Sequence, residues 1–562
     1  MALALALAAV APDRASAVIC QATGATPNAT ASADDGNVQG NTACGINADA
    51  SGNLSSNTAI GSDTDAFGDG SVNTATGNSA DASGEVSENT AVGNEADASG
   101  DGSFNTATGT NADASGNNSS NSATGIFANA SGTGSQNTAT GAGASASGGG
   151  SENTATGSFA DASGNGSNNI AAGSLANASG GSSDNIATGT DADASGDFGN
   201  NIATGDGANA SGNDSHNIAT GLDANGSGIS SNNIATGTGA NASGDFGDNI
   251  ATGANANASG LSSNNIAAGT QADAIGDNSA NTAYGFNANA TGNDSASIAM
   301  GFNTNANGNE SANIAIGNGA FASGDGSTNL ALGFGAQASN NSIAIGTNAV
   351  ATGSVAMGNF ATAGNGGAAF GDFSTATGTN STAVGPNTTV AHKNAAAFGN
   401  GATTTRDNQQ VFGTTSNTYT TPGITSKASK QAQGSPTHIV TSNADGDLAA
   451  HTPAQLGLAT QGDVVGLQSD INRLGRRDKE LTEGLAAVAS LAQPILRPGQ
   501  HFGVTAGWGG YGDANAVGFS AAGVLADNLL RPGSGTFALY GGIGAGLSEG
   551  EMAGRAGVSF GW

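Results

Sequence analysis

An Asn-Thr/Ile-Ala-x-Gly block that returns every sixteen residues restricts the fold of this chain more than any other feature. It begins at Asn41, and its glycine recurs without a gap from Gly45 to Gly333, which makes nineteen coils of one repeat. The alanine two places before each glycine is equally regular, from Ala43 to Ala331. A period this strict is typical of a solenoid and not of a globular enzyme.

One repeat contains two short stretches that alternate between inward and outward positions, such as residues 73–77 and 80–83, with turn residues between them. Sixteen residues leave no room for a helix in each coil. Because only alanine or another tiny side chain faces inward, we predict a thin parallel β-roll with two closely spaced sheets. Such a rod needs neighbouring coils, and we expect neighbouring chains, to bury enough apolar surface.

The positions on either side of the repeated alanine point away from it and become more apolar along the chain. They change from threonine in the early coils to isoleucine and leucine in the late coils, and we predict that this stripe is the seam of an oligomer. The pattern leaves open the alternative of random drift on an exposed face. The predicted seam residues are Ile298, Met300, Ile314, Ile316, Leu330 and Leu332.

Charge restricts the partners of the rod. No lysine or arginine occurs between Ala15 and His392, and of the 43 acidic residues 13 lie outside this stretch, which leaves 30 inside it. Nucleic acid, polyanionic glycans and anionic membranes are therefore not expected ligands.

The chain starts with an apolar run that is too short to span a bilayer, and Ala15-Ser16-Ala17 matches a signal-peptide cleavage site. The run lacks preceding basic residues, which leaves open a longer signal. Cys20 and Cys44 are the only cysteines, which fits an oxidising compartment and leaves open whether they form a disulfide.

After Gly333 the motif continues at twelve to fourteen residues as far as residue 413, and a Thr/Ser/Pro-rich stretch follows. Apolar residues then recur at alternating spacings of three and four, interrupted at Asp478, which predicts a short coiled coil. Its predicted core is Val464, Leu467, Ile471, Leu474, Leu481, Leu485, Val488 and Ile495.

Four runs of about ten residues with period-two alternation end the chain, at residues 501–509, 514–525, 536–547 and 551–562. This alternation, with a terminal aromatic residue at Trp562, is typical of outer-membrane strands. Four strands cannot close a barrel, whereas three chains that contribute four strands each can.

In this order, the head motif at residues 341–346, the heptad segment and the final residues 556–562 resemble the trimeric autotransporter adhesins of the YadA-like family of Gram-negative bacteria. The coils are longer than those common in the family, and the neck lacks its usual signature. The predicted boundaries are 1–17 for the signal peptide, 18–40 for a cap, 41–340 and 341–413 for the longer and shorter head coils, 414–454 for the neck, 455–497 for the stalk and 498–562 for the anchor.

The resemblance implies a mainly β protein with a left-handed parallel β-roll head, a coiled-coil stalk and a twelve-stranded trimeric outer-membrane barrel through which the head is exported. It implies a homotrimer on the cell surface that attaches to host or extracellular-matrix ligands or to sister cells, supporting biofilm. It also implies that the barrel-assembly machinery reads the C-terminal residues Phe560 and Trp562.

No enzyme, cofactor or metal site is expected. The five histidines are scattered without a ligand or triad spacing, and the Gly-rich stretch at residues 542–546 lacks the lysine of a phosphate loop. Two further hypotheses are a calcium-dependent repeat protein and an ice- or lattice-binding solenoid. The first lacks the nonapeptide pattern, and the threonine array that favours the second is interrupted from Ile170 onward.

Overall fold

The computed structural model describes residues 18–20, 40–532 and 535–562. The predicted signal peptide and most of the predicted cap lie outside these residues. The chain divides into two compact units, and the boundary between them falls between Thr418 and Tyr419. The first is a parallel β-solenoid, as predicted, and the second contains two α-helices, a hairpin and an antiparallel sheet.

Short parallel strands build the solenoid, and one strand of each coil enters a 26-stranded sheet. In chain order the solenoid strands are β1 Val18–Cys20, β2 Thr42–Cys44, β3 Thr58–Ile60, β4 Thr74–Thr76, β5 Thr90–Val92, β6 Thr106–Thr108, β7 Ser122–Thr124, β8 Thr138–Thr140, β9 Thr154–Thr156, β10 Ile170–Ala172, β11 Ile186–Thr188, β12 Ile202–Thr204, β13 Ile218–Thr220, β14 Ile234–Thr236, β15 Ile250–Thr252, β16 Ile266–Ala268, β17 Thr282–Tyr284, β18 Ile298–Met300, β19 Ile314–Ile316, β20 Phe321–Ala322, β21 Leu330–Leu332, β22 Gln337–Ser339, β23 Ile343–Ile345, β24 Val350–Thr352, β25 Val355–Met357, β26 Thr362–Gly364, β27 Ala368–Phe370, β28 Thr375–Ala376, β29 Thr382–Val384, β30 Thr389–Val390, β31 Ala396–Phe398 and β32 Gln410–Phe412.

The second face of the solenoid is less regular than the sequence pattern suggests. In the sixteen-residue coils only single bridges form there, such as Asp81 to Asp97, and strands appear once the coils shorten. From that point β20, β22, β24, β26, β28 and β30 form a second sheet of six strands. The expected stretch of about five residues per strand is therefore too long, because wide turns occupy the rest of each coil.

Glycine ladders set the spacing between coils. Gly77 has a φ of 147°, and a Cβ added there would overlap the carbonyl oxygen of Gly93 in the next coil. A second ladder behaves in the same way, since a Cβ on Gly84 would overlap Gly100. Only glycine tolerates both the backbone conformation and this close approach, which accounts for the unbroken glycine period.

Alanines form most of the core, as the sequence predicts, but they are not alone in it. Ala75, Ala80 and Ala82 of one coil are fully buried, and so is Asn73, which lies on the inward face two residues before Ala75. Ser87 is also buried. The prediction that only tiny side chains face inward is therefore wrong for the asparagine.

Asn73 shows how a buried asparagine of the core is satisfied. The Oδ1 atom of Asn73 accepts from the backbone N–H of Asn89 in the next coil at 3.0 Å and from the Ser87 hydroxyl at 2.9 Å. Its Nδ2 atom donates to the carbonyls of Phe67 at 3.1 Å and Gly84 at 3.0 Å. The asparagines thus form a ladder that joins consecutive coils.

The second unit contains a 3₁₀ helix at Pro422–Thr425, helix α1 at Lys427–Gln433, the hairpin strands β33 Ile439–Ser442 and β34 Leu448–His451, and helix α2 at Gln461–Ala489. Its last four strands, β35 Phe502–Tyr511, β36 Ala514–Ala526, β37 Thr536–Gly546 and β38 Met552–Gly561, form one antiparallel sheet in sequence order. All four predicted C-terminal strands are present, with bounds shifted by a few residues.

Helix α2 is shorter than the predicted stalk. It begins with a capping box in which Thr460 and Asp463 exchange hydrogen bonds, and the backbone N–H of Thr460 lowers the pKa of the Asp463 carboxyl. It ends at Ala489, so Ile495 lies outside the helix and is not a helical core position. Pro494 cannot donate a backbone hydrogen bond and disfavours helix in the residue before it, which explains the early end.

Replacing a ladder asparagine should loosen the solenoid locally. In an Asn153→Ala variant the buried Asn169 N–H loses its partner, at about 1–3 kcal/mol for a group left unsatisfied. The carbonyls of Ser147 and Gly164 each lose one of two donors. We expect faster hydrogen exchange in the coils on both sides of residue 153. The exposed Asn168→Ala substitution is the matched control. Equal exchange rates in the two variants would show that the asparagine ladder does not stabilise the coils.

Candidate functional site

The C-terminal sheet has two chemically different faces. On one face the side chains are large, apolar and exposed, with Val504 70%, Phe519 69% and Trp562 89% exposed. Strand register places the members of this face opposite one another across the sheet. They are Phe502, Val504, Trp508, Phe519, Leu539, Ile543, Met552, Val558 and Phe560.

The opposite face is lined by small residues and carries helix α2 and the segment that follows it. Side chains on Gly507 or Gly518 would overlap the backbone of Ser490, and one on Gly544 would overlap the carbonyl of Ala487. Ala486 and Ala487 are fully buried against this face. The glycines thus make room for the chain's own backbone.

The segment on the small-residue face runs from one end of the sheet to the other. Ala486 approaches Gly509, near the end where the turns between β35 and β36 and between β37 and β38 lie. Leu496 approaches Gly503, near the end where the sheet starts and where β38 finishes. The chain therefore crosses the full height of the sheet before it enters β35.

Both edges of this sheet are open in the single chain, because β35 and β38 each pair with one neighbour only within the described residues. Open edges present unpaired N–H and C=O groups, which are costly in an apolar surrounding. The sheet of one chain is therefore an incomplete unit for any apolar environment.

The predicted heptad residues of helix α2 lie uncovered in the single chain. Their exposure ranges from 49% to 65%, whereas isolated surface helices expose few large apolar residues on one stripe. These residues are Val464, Leu467, Ile471, Leu474, Leu481, Leu485 and Val488.

The predicted seam residues of the solenoid stack into two continuous columns. Ile298 pairs with Ile314, which pairs with Leu330, and the second column joins Met300 to Ile316 and to Leu332. The second column extends through the shorter coils and ends in a stacked ring pair, Phe398 and Phe412, with centroids 5.2 Å apart. The first column passes through Thr382 and ends at Gln410.

The same columns are polar at the other end of the solenoid. Thr74 pairs with Thr90, and Thr106 with Ser122, in the same register as the later isoleucines. The fold therefore turns the polarity trend of the sequence into a gradient along one continuous face. Met300 and Leu332 are 42% and 39% exposed, so neighbouring coils cover only part of this face.

An unbroken column of aspartates occupies the second face of the early coils, from Asp49 to Asp113. Burial raises the pKa of Asp65 and Asp97, and the repulsion of neighbouring aspartates raises it further, while the Ser99 hydroxyl and N–H oppose the shift at Asp97. Later coils carry asparagine at many of these positions, as at Asn129. No group of three metal-ligating side chains occurs among the described residues.

The cysteines lie on adjacent strands. Backbone register places Cys20 opposite Cys44, and Cys44 is disulfide-bonded. The sequence leaves open whether these two residues are bonded; the side chain of Cys20 lies outside the described part of the chain, and Cys20 is the only other cysteine of the sequence. At the other terminus, the rings of Phe560 and Trp562 lie 6.1 Å apart on the apolar side of β38.

Neither the protein-family models nor the curated proteins include a match to this sequence. In the described residues, no helix is both long enough and apolar enough to span a bilayer. Sequence reasoning missed the buried Asn73 ladder, the buried Glu483 on helix α2 and the contact of Arg555 with Leu491, just after this helix. The alternation Asn-x-Ala was a usable signal for the first, because residues two apart on a strand share a face.

The aspartate column should make the early coils more stable in mild acid. A raised carboxyl pKa means that the folded state holds its proton more tightly than the unfolded state, so stability falls as pH rises through the carboxylate range. We expect substitution of Asp65, Asp81 and Asp97 by Asn to raise the melting temperature at neutral pH by a few degrees and to flatten its pH dependence. The corresponding amide substitutions at the exposed Asp69, Glu85 and Asp101 serve as the control. An equal change in melting temperature would show that the effect does not come from the aspartate column.

Charges placed on the apolar columns should damage the late coils more than the early ones. Replacing Ile314, Ile316, Leu330 and Leu332 by Asp puts charge where a partner chain would exclude water, at a high desolvation cost. Replacing Thr74, Thr76, Thr106 and Thr108 by Asp should be milder. Limited proteolysis of both variants measures the difference, and no damage in either would mean that these columns face solvent.

Proposed function

We propose that this protein is a trimeric surface adhesin whose C-terminal unit anchors it in the outer membrane of a Gram-negative bacterium and exports its solenoid. The observation that carries this proposal is the two-faced C-terminal sheet, with exposed apolar side chains such as Phe519 on one side and the chain's own helix on the other. A sheet of this kind suits lipid outside and a passing polypeptide inside.

A trimer would cover three features that are open or exposed in a single chain: the edges of the C-terminal sheet, the heptad of helix α2 and the apolar columns of the solenoid. Four strands from each of three chains would close a barrel of twelve, which removes the open edges of β35 and β38. The exposed heptad from Val464 to Val488 would become the core of a three-helix coiled coil. The apolar columns at Ile314 and Leu330 would meet their counterparts in the other two solenoids.

The route of the chain supports export. The segment from Ala486 to Leu496 crosses the small-residue face from end to end, and helix α2 enters this face at the rim that carries the two short turns. Folding of the solenoid beyond that rim would supply free energy that prevents its return.

The long rod then presents a surface away from the cell. It carries no lysine or arginine between Ala15 and His392, so its ligand would be a neutral or cationic surface component of a host, its matrix or a sister cell. Attachment and self-aggregation are both compatible with such a rod.

Full-length protein expressed in a Gram-negative host should fractionate with the outer membrane and migrate at three times the mass of one chain on an unheated gel. A Trp562→Ser variant should lose most surface display, because this exposed terminal aromatic lies where an interfacial ring and an assembly signal are expected. Protease shaving of intact cells measures the display.

The control for this experiment is Trp508→Ser, which removes an exposed ring of similar size from the middle of the same sheet face. Equal loss in the two variants would assign the effect to lost apolar area and not to the terminus. A stable monomer in the soluble fraction would overturn the trimeric anchor altogether.

A second candidate is an ice- or lattice-binding solenoid, and one observation favours it. From β4 to β9 the position before the alanine is threonine or serine in every strand and the strands are in parallel register, so one column of hydroxyls repeats at about 4.8 Å. Isoleucine replaces the first threonine from Ile170 onward. Thermal hysteresis of the protein separates this candidate from adhesion.

A further inference from the structure

Two charged side chains hold helix α2 and its continuation on the C-terminal sheet, and neither belongs to the predicted heptad. Glu483 is the first. Its carboxylate accepts the backbone N–H of Glu549 with both oxygens, at 2.9 Å and 2.7 Å. Glu549 lies in the turn between β37 and β38. Glu483 is 2% exposed, although neighbouring Leu481 is 65% exposed.

Arg555 makes the second contact, and it is the only charged residue in the four strands, all of which are described. Its Nη1 atom donates to the carbonyl of Leu491 at 3.0 Å. The guanidinium carbon also lies 5.3 Å from the centre of the Tyr540 ring, within the range of a cation–π contact. Leu491 is 3% exposed, whereas Arg555 itself is exposed, so this contact is only partly buried.

Between these two contacts, the helix and the sheet face each other with small side chains. The helix presents Ala486 and Ala487, and the sheet presents glycine at positions such as Gly518 and Gly544. Small side chains on both sides fit closely, but they distinguish poorly between one register and another displaced by a few residues. A buried charge, in contrast, is costly unless its partner is in place. Glu483 is the buried charge of the two, so it favours the register that places its carboxylate at the Glu549 N–H, and Arg555 adds a partly buried bond in that same register.

We propose that Glu483 and Arg555 form a two-point latch that stops the outward-moving segment at one register and then holds it across the sheet. Glu483 reaches the turn at the rim through which the solenoid would leave, and Arg555 grips the backbone farther inside. The small-residue face of the sheet allows the exported segment to move along it, and the contacts of Glu483 and Arg555 stop this movement. This inference rests on the proposed export route.

The latch is tested by hydrogen exchange of the full-length protein purified in detergent. In a Glu483→Ala, Arg555→Met double variant, amides of residues 483–491 should exchange at least tenfold faster, while those of β36 and β37 keep their protection. Glu483→Gln and Arg555→Lys should each give a smaller effect, because Gln keeps one neutral acceptor and Lys keeps one donor without the planar stacking. Glu480→Ala, on the exposed part of the helix, should change nothing.

Unchanged exchange of residues 483–491 in the double variant would overturn the latch, as would equal loss of protection in the strands, which would make both residues general supports of the sheet. If the double variant does not assemble, the two conservative variants decide by the same criterion. Failure of the proposed function is separate, since it would show as absence of the unmutated protein from the membrane or absence of the trimer, whatever the exchange of residues 483–491.

Discussion

The stacking of each coil directly on the next is the constraint on which the solenoid depends. Backbones at the Gly77 and Gly84 corners approach so closely that no Cβ fits between them. This spacing brings Asn73 within reach of the next coil, where its side chain replaces backbone partners that the turns cannot supply. The two ladders act together, because a coil displaced by a side chain at the corner would also break the asparagine contacts.

A core made of alanine and asparagine stabilises little by apolar burial alone, since an alanine side chain removes a small area from water. Stability in this rod comes from repetition, with each coil contributing a small interface energy to its neighbours. The ends of such a rod are its weak points, and so is any face that stays apolar without a cover. The column from Met300 to Phe412 is such a face, and it stays apolar as far as the last solenoid strand.

The sequence predicted the solenoid, its shorter late coils and the four C-terminal strands because each rests on local periodicity. Period two at residues 551–562 and period sixteen from Gly45 to Gly333 need no knowledge of distant contacts. The burial of Glu483 and the reach of Arg555 to Leu491 depend on contacts over more than sixty positions, which no local pattern encodes. Pro494 favours a helix end before it, near Ala489, whereas the heptad spacing on which the prediction rests continues past this proline to Ile495.

Small residues serve opposite purposes in the two units. In the solenoid, glycine at Gly77 fixes a contact so tight that one arrangement alone is allowed. In the C-terminal sheet, glycines such as Gly507 and Gly544 clear a face on which a backbone can lie at many positions, so specificity has to come from elsewhere. Glu483 and Arg555 supply it there, because the buried Glu483 carboxylate is costly without its partner and Arg555 adds a bond to the Leu491 carbonyl in the same register. The two units differ in this way because only the solenoid is periodic. A repeat sets its register again at every coil, whereas a segment that crosses a sheet once needs specific contacts at individual residues to set its register.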